Sequence, residues 1–500
     1  MNCCLCPKRL SVVVVLPFFL LGGHVVRAEL TVVNDAEGQD GLTVYKMTVT
    51  PAPEPKPALK HRLTIRPNER QPGNAASHYL RSFAENSLEG PWKRIRDKFG
   101  SETIDGWYGI DLPIGELPLA EVREAAGAFD SYVEYFIAPA SKCRDCEWGL
   151  AEEYLDGTES IFFRLPDAQQ SREICRALAL RTRLAIAERR YDDAIEHMRM
   201  NYQLGQDIAR QKFLVCSLIG IAEVGISNKT MIDLIAAPDS PNMFWALTEL
   251  PRPIVGTREA IRLEMSLGQR IFPELLNIEH TEHSPEEWAR LIREGMKAYR
   301  DVMISEGQSL PQFEPAIGFT SLGASLMIYP GAKQRLIQSG LDTTRVDQMA
   351  VGQVLLLDAS REYRRIADEF EKWWYIDFPQ ARYRMDQESA LFPGNYPQGG
   401  FGEMIAALLL PAVQAARKAE MRTEWQLQAL RVVEAIRMHA AETGALPQSL
   451  GEITVVPPPL NPVTLEPYQY RLDGQTAVLD LPFSDGMSGI AWRFEITLAE

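Results

Sequence analysis

The helical organisation of the chain is clearest in residues 177–208, which read ALALRTRLAIAERRYDDAIEHMRMNYQLGQDI. Apolar residues recur there at spacings of three and four, namely Ala177, Leu180, Leu184 and Ala187, then Ile195, Met198, Tyr202, Gly205 and Ile208. This spacing places them along one face of each of two helices. The charged residues 189–192 separate the two patterns. We therefore expect an antiparallel helical hairpin that buries both apolar faces.

Helical patterns continue on both sides of this hairpin, so residues 74–391 are predicted to form an irregular stack of helical hairpins. Residues 213–235 are more apolar and are expected in the interior of the stack. Ser284, Pro285 and Glu287 form a helix start, with a capping serine, a proline in the first turn and a glutamate three residues after the cap. That helix is predicted to run to Glu306, and another is predicted over residues 343–375.

Strand signals lie near both ends of the chain. Residues 42–49 are rich in Thr, Val and Tyr, and residues 59–65 alternate between apolar and polar types, which predicts two strands. Four prolines in residues 51–57 predict an extended linker between them. Further strands are predicted at residues 468–472, 477–481 and 492–498.

The chain divides into five parts on these signals. Residues 392–402 read FPGNYPQGGFG and indicate a flexible linker, after which a helix is predicted from Met404 to Thr443, closed by Gly444. The predicted parts are a signal peptide (1–28), a β-rich segment with a Pro-rich linker (29–73), a helical-hairpin domain (74–391), a Gly/Pro-rich linker (392–402) and a small α+β module (403–500). The fold class is therefore mainly α with short β segments.

Residues 1–28 have the features of a secretory signal. Lys8 and Arg9 precede an apolar stretch at residues 10–21, and Val26-Arg27-Ala28 offers small residues for cleavage after Ala28. The apolar stretch is shorter than the ~20 residues that span a bilayer, so export is favoured over the alternative of an uncleaved membrane anchor. We expect a periplasmic or extracellular protein with no transmembrane segment after cleavage.

Composition limits the classes of function. The chain has 500 residues, 46% of them hydrophobic and 24% charged, which suffices for a substantial core. Its net charge is −15 and it has no long basic run, so we do not expect a nucleic-acid partner. No Walker loop, dinucleotide glycine fingerprint, HExxH or GxSxG is present, and no cofactor or catalytic residue is predicted.

Two small clusters are the candidate sites. Cys143 and Cys146 have redox spacing but lie in a loop-like stretch, so a local disulfide or two reduced structural thiols are favoured over redox chemistry or a zinc half-site. His280 and His283 each lie beside a carboxylate and are the only metal candidates, although a solvated connector before Ser284 is the favoured interpretation. Cys175 and Cys216 lie in apolar helical patterns and are predicted to be buried.

Three resemblances follow from particular residues. Residues 177–204 resemble one tetratricopeptide unit through Ala187, Tyr191 and Ala194. Residues 405–417, 444–447 and 461–470 resemble pseudopilins, which implies a long helix followed by a small sheet; Asn461 and Leu465 depart from the usual acid and glycine. The rest of the chain, including Cys146-Glu147-Trp148, is similar to uncharacterised secreted helical proteins of bacteria. That similarity implies no catalytic residue.

These observations favour an exported helical scaffold of the cell envelope that binds another envelope protein or a peptide and is not an enzyme. A hydrolase with paired carboxylates in a helical cleft is one alternative, because carboxylates positioned by tertiary structure leave no motif. A pseudopilin-like component of a secretion system is the other.

Overall fold

A computed structural model describes residues 30–34, 42–84, 88–149, 166–271, 278–305, 317–390, 400–481 and 491–499. Within these ranges the chain is mainly α-helical with short β segments, as predicted. The predicted signal peptide and residues 392–399 of the predicted linker lie outside the described residues.

The described strands and helices have the following bounds. The strands are β1 Leu30–Asn34, β2 Leu42–Val49, β3 Gln71–Asn74, β4 Cys143–Asp145, β5 Gln469–Asp473, β6 Thr476–Leu481 and β7 Ala491–Leu498. The first helices are α1 Ala75–Phe83, α2 Glu89–Phe99, α3 Ser101–Tyr108, α4 Leu119–Gly127, α5 Asp130–Tyr132, α6 Ala138–Lys142, α7 Pro166–Ala187, α8 Tyr191–Ala209 and α9 Leu214–Ala236. The remaining helices are α10 Phe244–Thr248, α11 Arg258–Ile271, α12 Pro285–Ser305, α13 Ile317–Gln338, α14 Thr343–Gln348, α15 Val351–Glu371, α16 Phe378–Ala390 and α17 Phe401–Thr443.

The predicted hairpin is formed by α7 and α8, which pack against each other. Arg189 turns the chain between them with a left-handed φ of 57°, and the Arg190 N–H donates to the Ala185 carbonyl at 2.8 Å. The apolar helix α9 then packs on α7, α8 and α17. Among the described residues, α9 is the one helix long and apolar enough to cross a membrane, and most of its residues are buried inside the protein.

Strands from both ends of the chain share one five-stranded sheet, in the order β1-β2-β7-β6-β5. β2 and β7 are parallel, with Leu42 opposite Ala491 and Val49 opposite Leu498, and the other neighbours are antiparallel. Tyr45 and Phe494 stack on the inner face and belong to a core that also contains residues of α9 and α17. The β segments that the sequence analysis treats as separate parts are thus hydrogen-bonded to each other.

The strand predicted over residues 59–65 is wrong, because this segment forms turns instead. Leu63 and Ile65 are buried, as their alternation predicts, but no neighbouring backbone pairs with them as a ladder. The Lys60 N–H donates to the Pro57 carbonyl at 2.8 Å, which closes a local turn. Alternation therefore indicates the buried side here, whereas a strand also needs a partner.

The helix start at Ser284 is confirmed. The Ser284 N–H donates to Glu287 Oε2 at 2.7 Å, and the Glu287 N–H donates to Ser284 Oγ at 3.2 Å. The single helix predicted over residues 343–375 is wrong in one respect. Met349 and Ala350 are extended, so α14 and α15 are separate.

α17 is the longest described helix, and its polar side chains bind the segment that follows α9. Glu434 accepts the Met243 N–H at 3.0 Å, and Arg437 donates to the Ser240 carbonyl at 2.9 Å. Arg437 also donates to the Thr50 carbonyl at 3.1 Å. Because Glu434 and Arg437 are fully buried, these bonds join α17 firmly to both the helical region and the sheet.

Candidate functional site

An open cleft of about 670 Å³ lies where three segments of the described chain meet. It is lined by residues 146–149, 206, 209–212, 251, 254–256 and 259. The first segment follows β4, the second includes the end of α8 and the turn before α9, and the third leads into α11. Each segment contributes a different kind of chemistry, and each is held in place by buried hydrogen bonds.

The first wall is the loop that carries Trp148. Asn74 fixes this loop, since its Nδ2 donates to the Glu147 carbonyl at 2.6 Å and its Oδ1 accepts the Glu147 N–H at 2.8 Å. Trp148 Nε1 donates to the Asp207 carbonyl at 2.8 Å, and the indole stacks on Tyr79 with ring centroids 5.9 Å apart. Trp148 therefore presents an aromatic surface whose position is fixed from two sides.

Asp207 supports this wall from below. Its side chain is 1% exposed, and its carboxylate accepts Tyr79 Oη–H at 3.1 Å and Gln203 Nε2–H at 2.9 Å. Burial raises the pKa of Asp207 to about 6, although the nearby Arg210 and the two hydrogen bonds oppose that rise. Because both carboxylate oxygens already have partners, Asp207 is a structural support for the cleft.

The second wall is the turn between α8 and α9, and it carries the cations. Arg210 and Lys212 are exposed, and the chain reverses at Lys212 with a left-handed φ of 61°. Gln211 between them is only 3% exposed. Its Oε1 accepts the Cys216 thiol at 3.4 Å, whereas its Nε2 has no hydrogen-bond partner among the described residues.

The third wall is apolar and is held by α17. Ile254 and Val255 are buried beside Pro251. Glu424 accepts the Ile254 N–H at 2.9 Å, and Glu420 Oε2 accepts both the Thr257 N–H at 2.8 Å and the Thr257 hydroxyl at 2.5 Å. Burial raises the pKa of Glu424. Two carboxylates more than 160 residues away in sequence thus position this wall.

The predicted cysteine pair borders the cleft. Cys146 lines it, and its Sγ lies 3.9 Å from the Asp207 carbonyl oxygen, whereas Cys143 Sγ lies 3.5 Å from the Pro139 carbonyl oxygen. Both are free thiols in the structure, and burial raises the pKa of each. A disulfide between them stays a prediction, which the mass of the unreduced protein checks. Cys175 and Cys216 are buried, as predicted.

The predicted histidine pair lies on the connector before α12. His280 is exposed, and His283 Nδ1 lies 3.8 Å from Glu287 Oε2, with its ring edge-on to Trp288. Glu279 bonds Arg361, which lowers the pKa of Glu279. Among the described residues, no three His, Cys, Asp or Glu side chains lie close enough together to hold a metal ion. The metal hypothesis therefore gains no third ligand from them.

Buried acids also lie outside the cleft, between the helices. Ser171 Oγ donates to Glu223 Oε1 at 2.5 Å, and Arg183 pairs with Asp233 at 2.9 Å. Burial raises the pKa of Glu223 to about 8 and that of Asp233 to about 6. The acids that do line the cleft, Glu147 and Glu259, are exposed. The described cleft thus has no pair of mutually shielded carboxylates.

Sequence reasoning did not assign the cleft. It named Trp148 only within a resemblance and did not single out Arg210, Gln211 or the wall at Ile254 and Val255. One available signal is the pair Gln203 and Asp207, two polar residues four apart on an otherwise apolar helix face. Such a pair indicates a buried polar contact from another segment.

Comparison of the chain with protein-family models, with curated proteins and with solved structures finds no match. The resemblances to pseudopilins, to a tetratricopeptide unit and to secreted helical proteins of bacteria therefore stay predictions. The cleft itself carries the argument about function.

Proposed function

We propose that this protein is an exported helical scaffold of the cell envelope that binds a polypeptide segment in the cleft beside Trp148. The observation that supports this most directly is the mixed lining of the cleft. It combines an immobilised aromatic ring, an apolar wall, two exposed cations and two exposed acids. Such a surface suits a polypeptide, which offers apolar side chains, backbone hydrogen-bonding groups and charges within one short stretch.

The rigidity of the walls also supports binding. Asn74, Asp207 and Tyr79 fix the Trp148 loop, while Glu420 and Glu424 fix the opposite wall. A site that is already ordered loses less conformational entropy when its ligand binds. The exposed state of Glu147 and Glu259 favours this role over hydrolysis, since a general acid in a carboxylate pair needs a shielded environment to raise its pKa.

A pair of matched crosslinking positions tests the binding role. Glu259 lies in the first turn of α11 and lines the cleft, whereas Glu121 lies in the first turn of α4 and does not. A photo-reactive residue at position 259 should crosslink in cells to a discrete partner, and the same residue at position 121 should not. The purified partner should then bind the wild-type protein and bind Glu259→Lys more weakly. Equal crosslinking at both positions would contradict the proposal.

Export has a separate test. The amino terminus of the protein recovered from the cell envelope should begin at Glu29, since the predicted cleavage follows Ala28. Recovery of a chain that still carries residues 1–28 would favour the membrane-anchored alternative. Recovery from the cytoplasm alone would contradict export altogether.

A further inference from the structure

The cation-bearing wall of the cleft points to a particular part of a polypeptide, and this inference rests on the proposed function. Gln211 is 97% buried by the neighbouring chain, being 3% exposed, and its Nε2 donor has no partner among the described residues. A buried donor without an acceptor is unfavourable, and most such groups in proteins are paired. An acceptor supplied by a ligand would remove this penalty.

Arg210 lies next to Gln211 and lines the same wall. Its closest acid is Asp207, with Arg210 Nε 3.8 Å from Asp207 Oδ1, a distance beyond that of a hydrogen bond. Because Asp207 already accepts bonds from Tyr79 and Gln203, its carboxylate is poorly placed to satisfy the guanidinium as well. A guanidinium next to an amide donor is a good arrangement for binding a planar carboxylate.

The remaining lining distinguishes between anions. Glu147 and Glu259 are exposed at the cleft and would repel a doubly charged phosphate more strongly than a singly charged carboxylate. Both acids can also accept backbone N–H groups from a bound chain. Ile254 and Val255 provide an apolar surface for a side chain next to the anion.

We propose that the cleft binds the carboxyl-terminal end of a partner polypeptide. Arg210 and Gln211 Nε2 would bind the terminal carboxylate, and the wall of Ile254 and Val255 would contact an apolar last side chain. Capture of a chain terminus by converging donors is a recurring mode of peptide recognition. The cleft would therefore select chain ends over internal segments of the same sequence.

The test uses two pools of fluorescently labelled hexapeptides that end in leucine, with the two preceding positions randomised. One pool has a free terminal carboxylate, and the other has a carboxamide, which removes only the charge. Fluorescence anisotropy with the full-length protein should show at least about tenfold tighter binding of the free-acid pool, as expected for losing a charge-assisted hydrogen bond. Equal binding of the two pools would overturn this inference and leave the proposed function standing. No binding of either pool would count against both.

Variants identify the residues responsible. Arg210→Gln should reduce the preference for the free acid to less than about threefold, because the charge on the wall is removed. Arg189→Gln is the matched control, since Arg189 is an exposed arginine outside the cleft, and it should leave the preference unchanged. Gln211→Glu nearly preserves the side-chain shape and should selectively weaken binding of the free acid. A preference that survives in Arg210→Gln and in a folded Gln211→Glu would contradict the assignment.

Discussion

Gly205 of α8 and Gly220 of α9 lie against each other where the two helices cross. A Cβ atom at position 205 would lie 2.8 Å from the Gly220 carbonyl oxygen, and a Cβ at position 220 would meet the Gly205 carbonyl group. Real Cβ atoms almost never approach a backbone oxygen so closely. The two helices therefore pack backbone to backbone, and this contact sets the position of the turn that carries Arg210 and Gln211.

Replacing Gly220 by alanine should destabilise the protein, by about 1–3 kcal/mol, since the added methyl group separates two tightly packed helices. Gly225 is the matched control on the same helix, because a Cβ there would have no neighbour within 4 Å. Gly225→Ala should stabilise by about 0.5–1 kcal/mol through improved helix propensity. Urea denaturation of the two variants measures the contrast, and equal effects would contradict the close packing.

Arg183→Met should cost about 3–5 kcal/mol, the typical cost of removing one partner of a buried ion pair. Arg183 pairs with Asp233 and donates to the Trp107 carbonyl at 2.8 Å, and both charged side chains are essentially inaccessible to solvent. The change would leave Asp233 buried without its counter-ion. The free energy of unfolding from urea titrations measures the loss.

The control for that prediction is Arg290→Met. Arg290 pairs with Glu294 on the surface of α12 at 3.0 Å, with about half of each side chain exposed. An exposed helical pair of this kind contributes only about 0.3–0.5 kcal/mol. A loss in Arg183→Met as small as that in Arg290→Met would show that the buried pair has little energetic importance.

Glu223→Gln should make unfolding less sensitive to pH between about 4.5 and 8. Burial raises the pKa of Glu223 from 4.5 to about 8 in the folded state, so the folded chain holds a proton that the unfolded chain has lost in that range. Stability from this group is fully present below pH 4.5 and falls by about 1.4 kcal/mol per pH unit as the pH rises toward 8.

The measurement is the difference in free energy of unfolding between wild type and Glu223→Gln at pH 5, 6.5 and 8. Glutamine keeps an oxygen that can accept the Ser171 hydroxyl, which is bonded to Glu223 Oε1 at 2.5 Å. The advantage of the variant should grow with pH up to about 8. A constant difference would mean that Glu223 titrates normally.

Leu465→Gly should stabilise the protein by about 0.5–1 kcal/mol. Leu465 has a left-handed φ of 62°, and its N–H donates to the Asn461 carbonyl at 2.8 Å within a turn. A leucine is strained in this region, whereas glycine is not. The side chain is 57% exposed, so little buried surface is lost.

Leu460→Gly provides the comparison for Leu465. Leu460 is 50% exposed, and its φ is not among the positive values. Glycine at that position should destabilise slightly, since it increases the conformational freedom of the unfolded chain. Thermal unfolding of both variants should therefore shift in opposite directions, and a common direction would contradict the strain at Leu465.

Glu420→Ala should loosen the apolar wall of the cleft. It removes the acceptor of the Thr257 N–H and hydroxyl, which are buried, and should cost about 1–3 kcal/mol. Hydrogen exchange of the Thr257 amide should accelerate, and peptide binding should weaken. Glu420→Gln retains an accepting oxygen and should recover most of both properties; failure of that recovery would mean that the carboxylate acts in another way.

Local sequence patterns predicted much of the fold because helices are local structures. The spacing around Leu184 and Met198 predicted the hairpin, and Ser284 with Glu287 predicted a helix start that the structure confirms. Leu63 and Ile65 were correctly expected to be buried, but their strand failed because pairing depends on a distant neighbour. Pairing of Leu42 with Ala491 likewise has no local signal.

The cleft was beyond local reasoning for the same reason. Trp148, Gln211 and Ile254 each lie in a stretch that reads as a turn or loop. They meet only because Asp207 binds the first segment, and Glu420 and Glu424 of α17 bind the third. Such convergence is a property of tertiary packing, which a linear pattern does not encode.

The parallel pairing of β2 with β7 has a consequence for biosynthesis. A ribosome must finish residues 491–498 before β2 can find its central neighbour, so the sheet cannot assemble cotranslationally from its amino-terminal strands alone. An incomplete nascent chain would leave the inner side of β2, with Tyr45 and Met47, without the strand that covers its edge. That delay would keep the polypeptide loosely structured long enough to be threaded through a translocation channel.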